Sequence, residues 1–434
     1  MPQKLRDAAW IAGGVALSAV GTLAGVSLLT AKLAPADFGL LSLLLATSVL
    51  ATQIAAGPVA QATIHLYPRF STPGRVPLLR NRALHAQRRG WLLVAALLLA
   101  GGGIATALER ATWIDVALVL LLFSADATRT LRISVLNAAR RHAPYSIWVA
   151  LDAWARPIAA LVAIVTFGAV AQVALAAYVA VAVVLNLLLG RTAWNSGAGS
   201  GTPMDTTTAA IDGEPGRLDR KIAQYALPLV PLALLAWVVN LGDRFAIGAI
   251  LDDAAVGIYA AAYGLAAAPF MMVAGMVEQA VRPHYQQALS ARNHLHADRL
   301  LRIWLLAVVA AVCAGWAVFM VAHELIAGWV LGPAFIASAA LMPWIAGGYA
   351  LRATASVLER VCYGYARTRR VLAIQAATAA TAVVAVPTAA AQWGLRGAAA
   401  SLVLVFAVQL AVAAMFAYRT RKDMSGPDAA PVVA

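Results

Sequence analysis

Long apolar stretches recur from one end of the chain to the other, separated by short polar segments. A helix needs about 20 apolar residues to cross a bilayer. The pattern therefore predicts an all-α integral membrane protein with about twelve spanning helices. The predicted spans are 9–33, 39–66, 91–108, 112–136, 145–167, 170–190, 224–250, 257–281, 303–323, 335–361, 371–391 and 395–417.

The composition agrees with a protein that lipid surrounds. The chain is 62% hydrophobic and 12% charged, whereas soluble domains carry about twice that share of charge. The first apolar run follows Lys4 and Arg6 and reaches Leu33 without a clear cleavage site. It is longer than a signal-peptide core, so we expect it to be retained as the first span.

The positive charges are distributed unevenly between the loops. When residues within two positions of a span end are counted with the adjoining loop, 25 of the 33 Lys and Arg residues fall on one predicted side, five lie inside spans, and three (Lys32, Arg110 and Arg396) fall on the other side. Because cytoplasmic loops carry the excess of positive charge, both termini are expected in the cytoplasm. The net charge of +14 is then mostly a topology signal, and no nucleic-acid partner is expected.

A segment rich in Gly, Ser, Thr and Pro lies near the middle of the chain, from Trp194 to Gly216. This composition is typical of a flexible linker. We expect an N-terminal lobe at 1–190, a cytoplasmic linker at 191–223, and a C-terminal lobe at 224–434 that ends in a short cytoplasmic tail.

The two halves share an internal repeat. A shift of 218 residues places Gly39 on Gly257, Gln61 on Gln279 and Tyr67 on Tyr285. Six helices per copy is an even number, so the copies have the same orientation. This predicts two six-helix bundles related by a parallel repeat, an arrangement found in transporters. A static scaffold is the alternative.

Five arginines lie inside predicted spans and away from the span ends, where a charge is costly unless it faces protein, water or a partner. They are Arg129, Arg132, Arg156, Arg244 and Arg352. Asp126 precedes Arg129 by three residues, and Asp152 precedes Arg156 by four. These spacings place each pair on one helix face, where structural ion pairs are expected.

The other intramembrane charges have no such local partner. Asp243 and Arg244 are adjacent and point about 100° apart on a helix, so each needs another partner. Arg352 and Arg132 have no acid three or four residues away that would neutralise them. We interpret these arginines, with Arg129 and Arg156 as further candidates, as lining a polar substrate cavity between the lobes. Guanidinium groups suit a diphosphate, whose oxygens they bind in pairs.

Signals for catalysis are weak. The histidines are scattered, the two cysteines show no metal spacing, and no phosphate-binding glycine loop precedes a lysine. The longest predicted outer loop, 323–335, contains Glu324 as its one acid. We therefore expect a transporter without metal or cofactor, and a membrane glycosyltransferase or polymerase is the less favoured alternative.

A motif in the seventh and eighth spans resembles the polysaccharide-biosynthesis flippases of the O-antigen type. It comprises Tyr225, Pro228, Pro231, Asn240, Asp243-Arg244-Phe245, Ile247-Gly248, Leu251, Val256-Gly257, Tyr259, Ala262 and Tyr263. The segments 33–40 and 393–398 resemble the first and last outer turns of that family. Through this motif Asn240 joins the candidate cavity residues.

The resemblance implies membership of the multidrug, oligosaccharidyl-lipid and polysaccharide exporter (MOP) superfamily. Such proteins have two six-helix bundles around a central, often cationic cavity. By alternating access they move undecaprenyl-diphosphate-linked oligosaccharide across the bacterial inner membrane for surface polysaccharide synthesis. The expected partners are this glycan lipid, membrane lipid and polysaccharide assembly proteins.

Two points about transport remain open in the sequence. A drug or small-metabolite antiporter of the same superfamily is the second hypothesis, although a cation exporter should have an acidic cavity and this one is neutral to basic. The second point is the coupling ion, for which Asp243 is the candidate site and the first acid to test.

Overall fold

The computed structural model describes residues 3–70, 76–193, 215–291, 293–365 and 367–424, and these residues are almost entirely helical. The helices are α1 (Gln3–Thr30), α2 (Pro35–Ala55), α3 (Gly57–Phe70), α4 (Val76–Ala107), α5 (Trp113–Ala138), α6 (His142–Phe167), α7 (Ala171–Ala193), α8 (Pro215–Ala226), α9 (Leu229–Ile250), α10 (Asp253–Ala266), α11 (Ala268–Ser290), α12 (His294–Val330), α13 (Met342–Gly364) and α14 (Thr368–Met424). A 3-10 segment, Pro333–Leu341, precedes α13.

Ten helical segments of the described chain are long and apolar enough to cross a membrane. The α5 helix is not one of them because it carries four charged residues, Asp115, Asp126, Arg129 and Arg132. The α14 helix counts once although it bends at Gly394, where φ is 62°. With α5 added and α14 counted as two arms, the twelve predicted spans are accounted for. The protein is a multi-pass, all-α membrane protein, as predicted.

Several helices extend beyond the predicted spans. The α4 helix begins at Val76 rather than at residue 91, and α12 covers His294–Val330 rather than 303–323. Polar residues at a bilayer surface can continue a helix, so the apolar run reports the thickness of the membrane and not the length of the helix. The outer loop expected at 323–335 is consequently mostly helical.

Prolines mark two of the helix breaks. The predicted span 257–281 divides into α10 and α11, and Pro269 lies in the first turn of α11. The break between α8 and α9 includes Pro228, and Pro231 lies in the first turn of α9. Proline is tolerated there because the first amides of a helix have no partner within it.

The helix starts reproduce the internal repeat. The α2 helix begins at Pro35 and α10 begins at Asp253. The two positions differ by 253 minus 35, or 218 residues, the offset at which the sequences match. The breaks that follow are not equivalent, because α2 ends at Ala55 and α10 at Ala266.

Contacts group the chain into two compact units. The first comprises Met1–Leu33 and Leu41–Leu234, and the second comprises Ala34–Leu40 and Leu235–Ala434. These boundaries differ from the expected lobes, 1–190 and 224–434, because the first turns of α2 group with the second unit and the start of α9 with the first.

The predicted linker, 191–223, is helical at both ends. Residues 191–193 belong to α7 and 215–223 to α8, while 194–214 lie outside the described residues. The α8 helix is amphipathic, and its buried Leu218 and Ile222 stand four residues apart. They pack into a core of the first unit with Leu79 and Leu131, which explains why this part of the predicted linker is ordered.

Two glycines of the repeat meet inside the second unit. Gly39, in the first turns of α2, packs against α10 at Gly257. A Cβ on Gly39 would overlap the carbonyl oxygen of Asp253, and a Cβ on Gly257 would overlap that of Pro35. Because backbone cannot move aside as a flexible side chain can, only glycine fits at either position.

We expect Gly257→Ala to destabilise the protein by about 1–3 kcal/mol, the usual cost of overpacking. Gly275→Ala is the matched control, because a Cβ there has nothing within 4 Å and alanine favours a helix. Thermal unfolding of both variants in detergent measures the difference. Equal melting temperatures would contradict the tight crossing.

Candidate functional site

Four charged side chains form a closed network in the first unit. Arg129 on α5 contacts Asp126 at 3.4 Å and Asp152 on α6 at 2.9 Å. Arg156 on α6 contacts Asp152 at 2.8 Å and also pairs with Asp126. Each arginine therefore touches both carboxylates, and the side chains are 11–20% exposed.

This network shows what the two local pairs do. The predicted pairs within α5 and within α6 are present, and the crossed contacts also join the two helices. Two positive charges are matched by two negative ones, so Arg129 and Arg156 are not free cations. The geometry favours a structural role for both arginines. All four charges are paired, and removing any one of the side chains would leave an unpaired charge inside the membrane.

Arg132 is bound to α7 by a neutral partner. Its Nη1 donates to the side-chain oxygen of Asn186 at 2.9 Å and also to the Asn186 carbonyl. The amide of Asn186 donates in turn to the carbonyl of Ala125. A Cβ at Gly190 would lie 2.9 Å from Arg132 Nη1, so glycine leaves room for the guanidinium. Asn186 was missed in the sequence, although a lone amide in an apolar span is itself a signal.

A second polar cluster lies in the second unit and is centred on Asp243 of α9. The carboxylate accepts a hydrogen bond from the hydroxyl of Tyr259 on α10 at 2.6 Å. Its other oxygen accepts from the backbone amide of Arg244 at 2.8 Å. Asp243 is buried, and its side-chain partner is a tyrosine and not the adjacent guanidinium, as the helix geometry required.

Arg244 lies on an aromatic face. Its guanidinium carbon is 5.1 Å from the ring centroid of Tyr263 on α10. Its Nε is buried and has no hydrogen-bond partner among the described residues. The Tyr263 hydroxyl donates to the carbonyl of Asn240 at 2.9 Å, while the Asn240 side chain donates back to Ala236 within α9. Asn240 thus borders the cluster through its backbone.

Arg352 on α13 is held in the same way. Its guanidinium carbon is 5.5 Å from the ring centroid of Tyr349 and 5.1 Å from that of Phe406 on α14. Its Nη1 is buried and unbonded within the described chain. The hydroxyls of Tyr349 and Tyr263 form a hydrogen bond, so the rings beneath Arg352 and Arg244 adjoin one another.

Glu359 does not neutralise Arg352 although it lies two turns further along α13. The buried carboxylate accepts hydrogen bonds from Gln409 at 2.7 Å and from Gln375 at 3.3 Å. Among the described residues no carboxylate lies within the 4.0 Å ion-pair distance of Arg244 or Arg352. We call Asn240, Asp243, Arg244, Tyr259, Tyr263, Tyr349, Arg352 and Phe406 the arginine–tyrosine cluster.

The cluster has one acid and two bases, so its formal charge is +1. The two guanidinium groups keep unbonded N–H donors, while the acid is occupied by Tyr259. This arrangement can accept an anion with several oxygens, such as a phosphate or diphosphate. In the described part of the chain no group of three or more His, Cys, Asp or Glu side chains could hold a metal ion.

Comparison with protein families supports the resemblance seen in the motif. The family model described as polysaccharide biosynthesis protein matches residues 216–340. That range includes α9 and α10, which carry Asn240, Asp243 and Arg244. Comparison with curated protein sequences gave no match.

Solved structures identify the class of fold. The chain superposes on a multidrug resistance MATE family transporter of the MOP superfamily with a TM-score of 0.67 and 14% identity, covering 94% of this chain and 96% of that one. The lipid II flippase MurJ gives a TM-score of 0.69 at 10% identity, with coverage of 94% and 86%. A MOP superfamily transporter from Pyrococcus furiosus gives 0.60 at 12%, with coverage of 95% and 96%. The chain has the MOP transporter fold, and the predicted resemblance to the polysaccharide-biosynthesis flippases is confirmed.

The four-residue network predicts a specific pattern of stability. Asp152→Asn or Arg129→Gln alone leaves one unmatched charge and should cost on the order of 3 kcal/mol. The double variant leaves Arg156 with Asp126 and should be more stable than either single variant. Thermal unfolding of the three proteins measures this coupling.

The surface pair Arg82 and Asp219, 3.3 Å apart and about 30% exposed, is the control. Its removal should cost less than about 1 kcal/mol. Additive losses in the network, with no recovery in the double variant, would show that the four residues do not act together.

Proposed function

We propose that the protein translocates a diphosphate-linked lipid oligosaccharide across the bacterial inner membrane. The substrate would be an undecaprenyl-diphosphate glycan used in surface polysaccharide synthesis, and the mechanism would be alternating access. The observation that carries this proposal is the pair Arg244 and Arg352, two half-buried guanidinium groups with unbonded N–H donors.

The aromatic rings explain how these cations exist without carboxylates. A charge inside a membrane protein is costly unless it is compensated. The faces of Tyr263, Tyr349 and Phe406 compensate part of the charge through their quadrupoles. A ring face is only a weak acceptor for an N–H group, so phosphate oxygens would bond these donors more strongly than the rings do.

The comparisons support the chemical class of the substrate. The matched family is described as a polysaccharide biosynthesis protein, and one solved protein with this fold is described as a lipid II flippase. The undecaprenyl carrier, the inner membrane, the cytoplasmic termini and a role beside polysaccharide assembly proteins belong to the proposal and follow from the family resemblance and the charge distribution.

The candidate cavity residues do not have equal support. Arg244 and Arg352 carry the proposal, and Asn240 borders them through its carbonyl. Arg129 and Arg156 are occupied by Asp126 and Asp152. Arg132 bonds to Asn186. We therefore propose Arg244 and Arg352 as the substrate residues and assign the three first-unit arginines to the packing of α5, α6 and α7.

A multidrug antiporter is the second candidate function. The observation in its favour is that the chain shares its fold with a multidrug resistance transporter. An exporter of organic cations would need uncompensated carboxylates. In the cluster the one carboxylate, Asp243, is bonded to Tyr259, and the two arginines give a formal charge of +1. The cluster therefore favours an anionic substrate.

The proposal is tested by removing the guanidinium groups. Arg244→Ala and Arg352→Ala should each slow translocation about tenfold or more, because a charge-assisted bond in a site of low dielectric is lost. Lysine at either position should restore part of the rate, since it keeps the charge but not the paired donors. The measurement is flipping of a fluorescent polyprenyl-diphosphate oligosaccharide in proteoliposomes.

Arg282→Ala is the control, since that side chain is 48% exposed and pairs with Glu278. It should translocate normally, and all variants should insert and purify as the parent does. Unchanged rates in both alanine variants would remove the arginines from the substrate site. Export of organic cations by the parent, without flipping of the diphosphate lipid, would favour the antiporter.

Asp243 is the proposed site of coupling to an ion. It is the acid of the arginine–tyrosine cluster and is bonded to Tyr259. Asp243→Asn should keep the hydrogen bond to Tyr259 but abolish the dependence of flipping on an imposed H⁺ or Na⁺ gradient. Tyr259→Phe is the matched variant, which removes the bond and keeps the carboxylate. Equal gradient dependence in the parent and in Asp243→Asn would exclude this role.

A further inference from the structure

A groove lies at one end of the second unit, outside the arginine–tyrosine cluster. It has a volume of about 1160 Å³. It is formed by the end of α12, the start of α13 and both arms of α14 around the bend at Gly394. Most of its lining is apolar, with Val384 and Leu404 on its wall, and His323 and Arg396 supply the charged or titratable groups.

A smaller hollow of about 600 Å³ adjoins the groove and shares His323, Ala340 and Arg396 with it. This hollow adds Glu324 to the lining. One end of the second unit thus brings together an imidazole, a carboxylate and a guanidinium. None of the three belongs to the cluster for which transport is proposed.

The opposite charges in this hollow line the same space but are not bonded to each other. No ion pair joins Glu324 and Arg396 in the described residues, and both side chains are exposed. Elsewhere in this unit acids and arginines form ion pairs. Glu278 and Arg360, for example, lie 2.9 Å apart. His323 uses Nδ1 toward the Phe319 carbonyl at 3.2 Å, which leaves Nε2 available. Two separated opposite charges fit a ligand that carries both signs.

Two tryptophans define the depth of the groove in the membrane. Trp344 and Trp393 line it and are 49% and 69% exposed. Tryptophan prefers the boundary between hydrocarbon and head groups. On this preference the charged hollow would lie at head-group level and the wall with Val384 and Leu404 beside the acyl chains. On the predicted topology Arg396 is one of three basic residues on the side away from the cytoplasm.

We propose that this groove binds phosphatidylethanolamine from the leaflet away from the cytoplasm. The lipid phosphate would accept hydrogen bonds from Arg396 and His323, its ammonium group would donate to Glu324, and an acyl chain would lie along the apolar wall. Phosphatidylglycerol lacks the ammonium group, and phosphatidylcholine has an ammonium without N–H donors. The site therefore distinguishes lipids by the amine as well as by the phosphate. This inference does not depend on the transported substrate.

The test is native mass spectrometry of the detergent-purified protein, titrated with phosphatidylethanolamine, phosphatidylcholine and phosphatidylglycerol. We expect the parent to prefer phosphatidylethanolamine about threefold over either other lipid, the range of an exposed charge pair. Glu324→Gln, which keeps an acceptor oxygen but loses the charge, should weaken the preference over both other lipids. Arg396→Gln should lower the binding of all three lipids.

Glu109→Gln and Arg110→Gln are the matched controls, since these residues carry the same charges on the same predicted side but lie outside the groove. They should leave the lipid preference unchanged. Ala385→Trp fills the groove without altering its charges and should lower the occupancy of every lipid. The thermal unfolding of each variant shows that it is folded.

Three results would overturn the proposal. Equal binding of the three lipids by the parent would exclude recognition of the head group. Preferred binding of phosphatidylglycerol would indicate a simple anion site. Equal losses in the groove variants and in the control variants would show that the effect comes from the surface charge in general.

Discussion

The cost of an uncompensated charge inside an apolar helix determines how this molecule is organised. Each intramembrane arginine must find a partner, and the two units satisfy this requirement differently. In the first unit Arg129 and Arg156 share Asp126 and Asp152 in a closed, neutral network. The network joins α5 to α6, and it leaves no charge available for a ligand.

In the second unit the positive charges of Arg244 and Arg352 are only partly compensated. Two of its buried acids are satisfied by neutral donors, Tyr259 for Asp243 and Gln409 for Glu359. Arg244 and Arg352 consequently rest on aromatic rings and retain buried N–H groups without acceptors. A folded protein rarely leaves such groups unsatisfied. A substrate whose oxygens complete the bonds would explain why the structure keeps them.

The fold was predictable from the sequence because lipid enforces a simple rule. Apolar runs long enough to cross the bilayer gave the spans, and the offset of 218 residues gave the repeat that the starts of α2 and α10 reproduce. The ends of α4 and α12 were not predictable, since a helix can continue into water after the hydrocarbon ends. The order in α8 was missed because its apolar face has only a few residues within a polar segment.

The charged residues of the candidate site could be predicted from the sequence, but the side chains that they bind could not. Spacing along one helix identified the pairs in α5 and α6, and it also showed that Asp243 and Arg244 needed other partners. It could not show that those partners are Tyr259 and Tyr263, because they lie on another helix. Neutral partners such as Asn186 and Gln409 add no charge to the pattern. An amide in an apolar span is a signal of a polar site, but contacts between helices were needed to show which group it binds.

The most direct test of the account is the binding of a short-chain prenyl diphosphate to the purified protein, compared with the corresponding prenyl alcohol by isothermal titration. The account predicts that the parent prefers the diphosphate and that the double variant Arg244→Ala/Arg352→Ala binds both equally. A diphosphate preference that survives in the double variant would contradict the central role given to these two arginines.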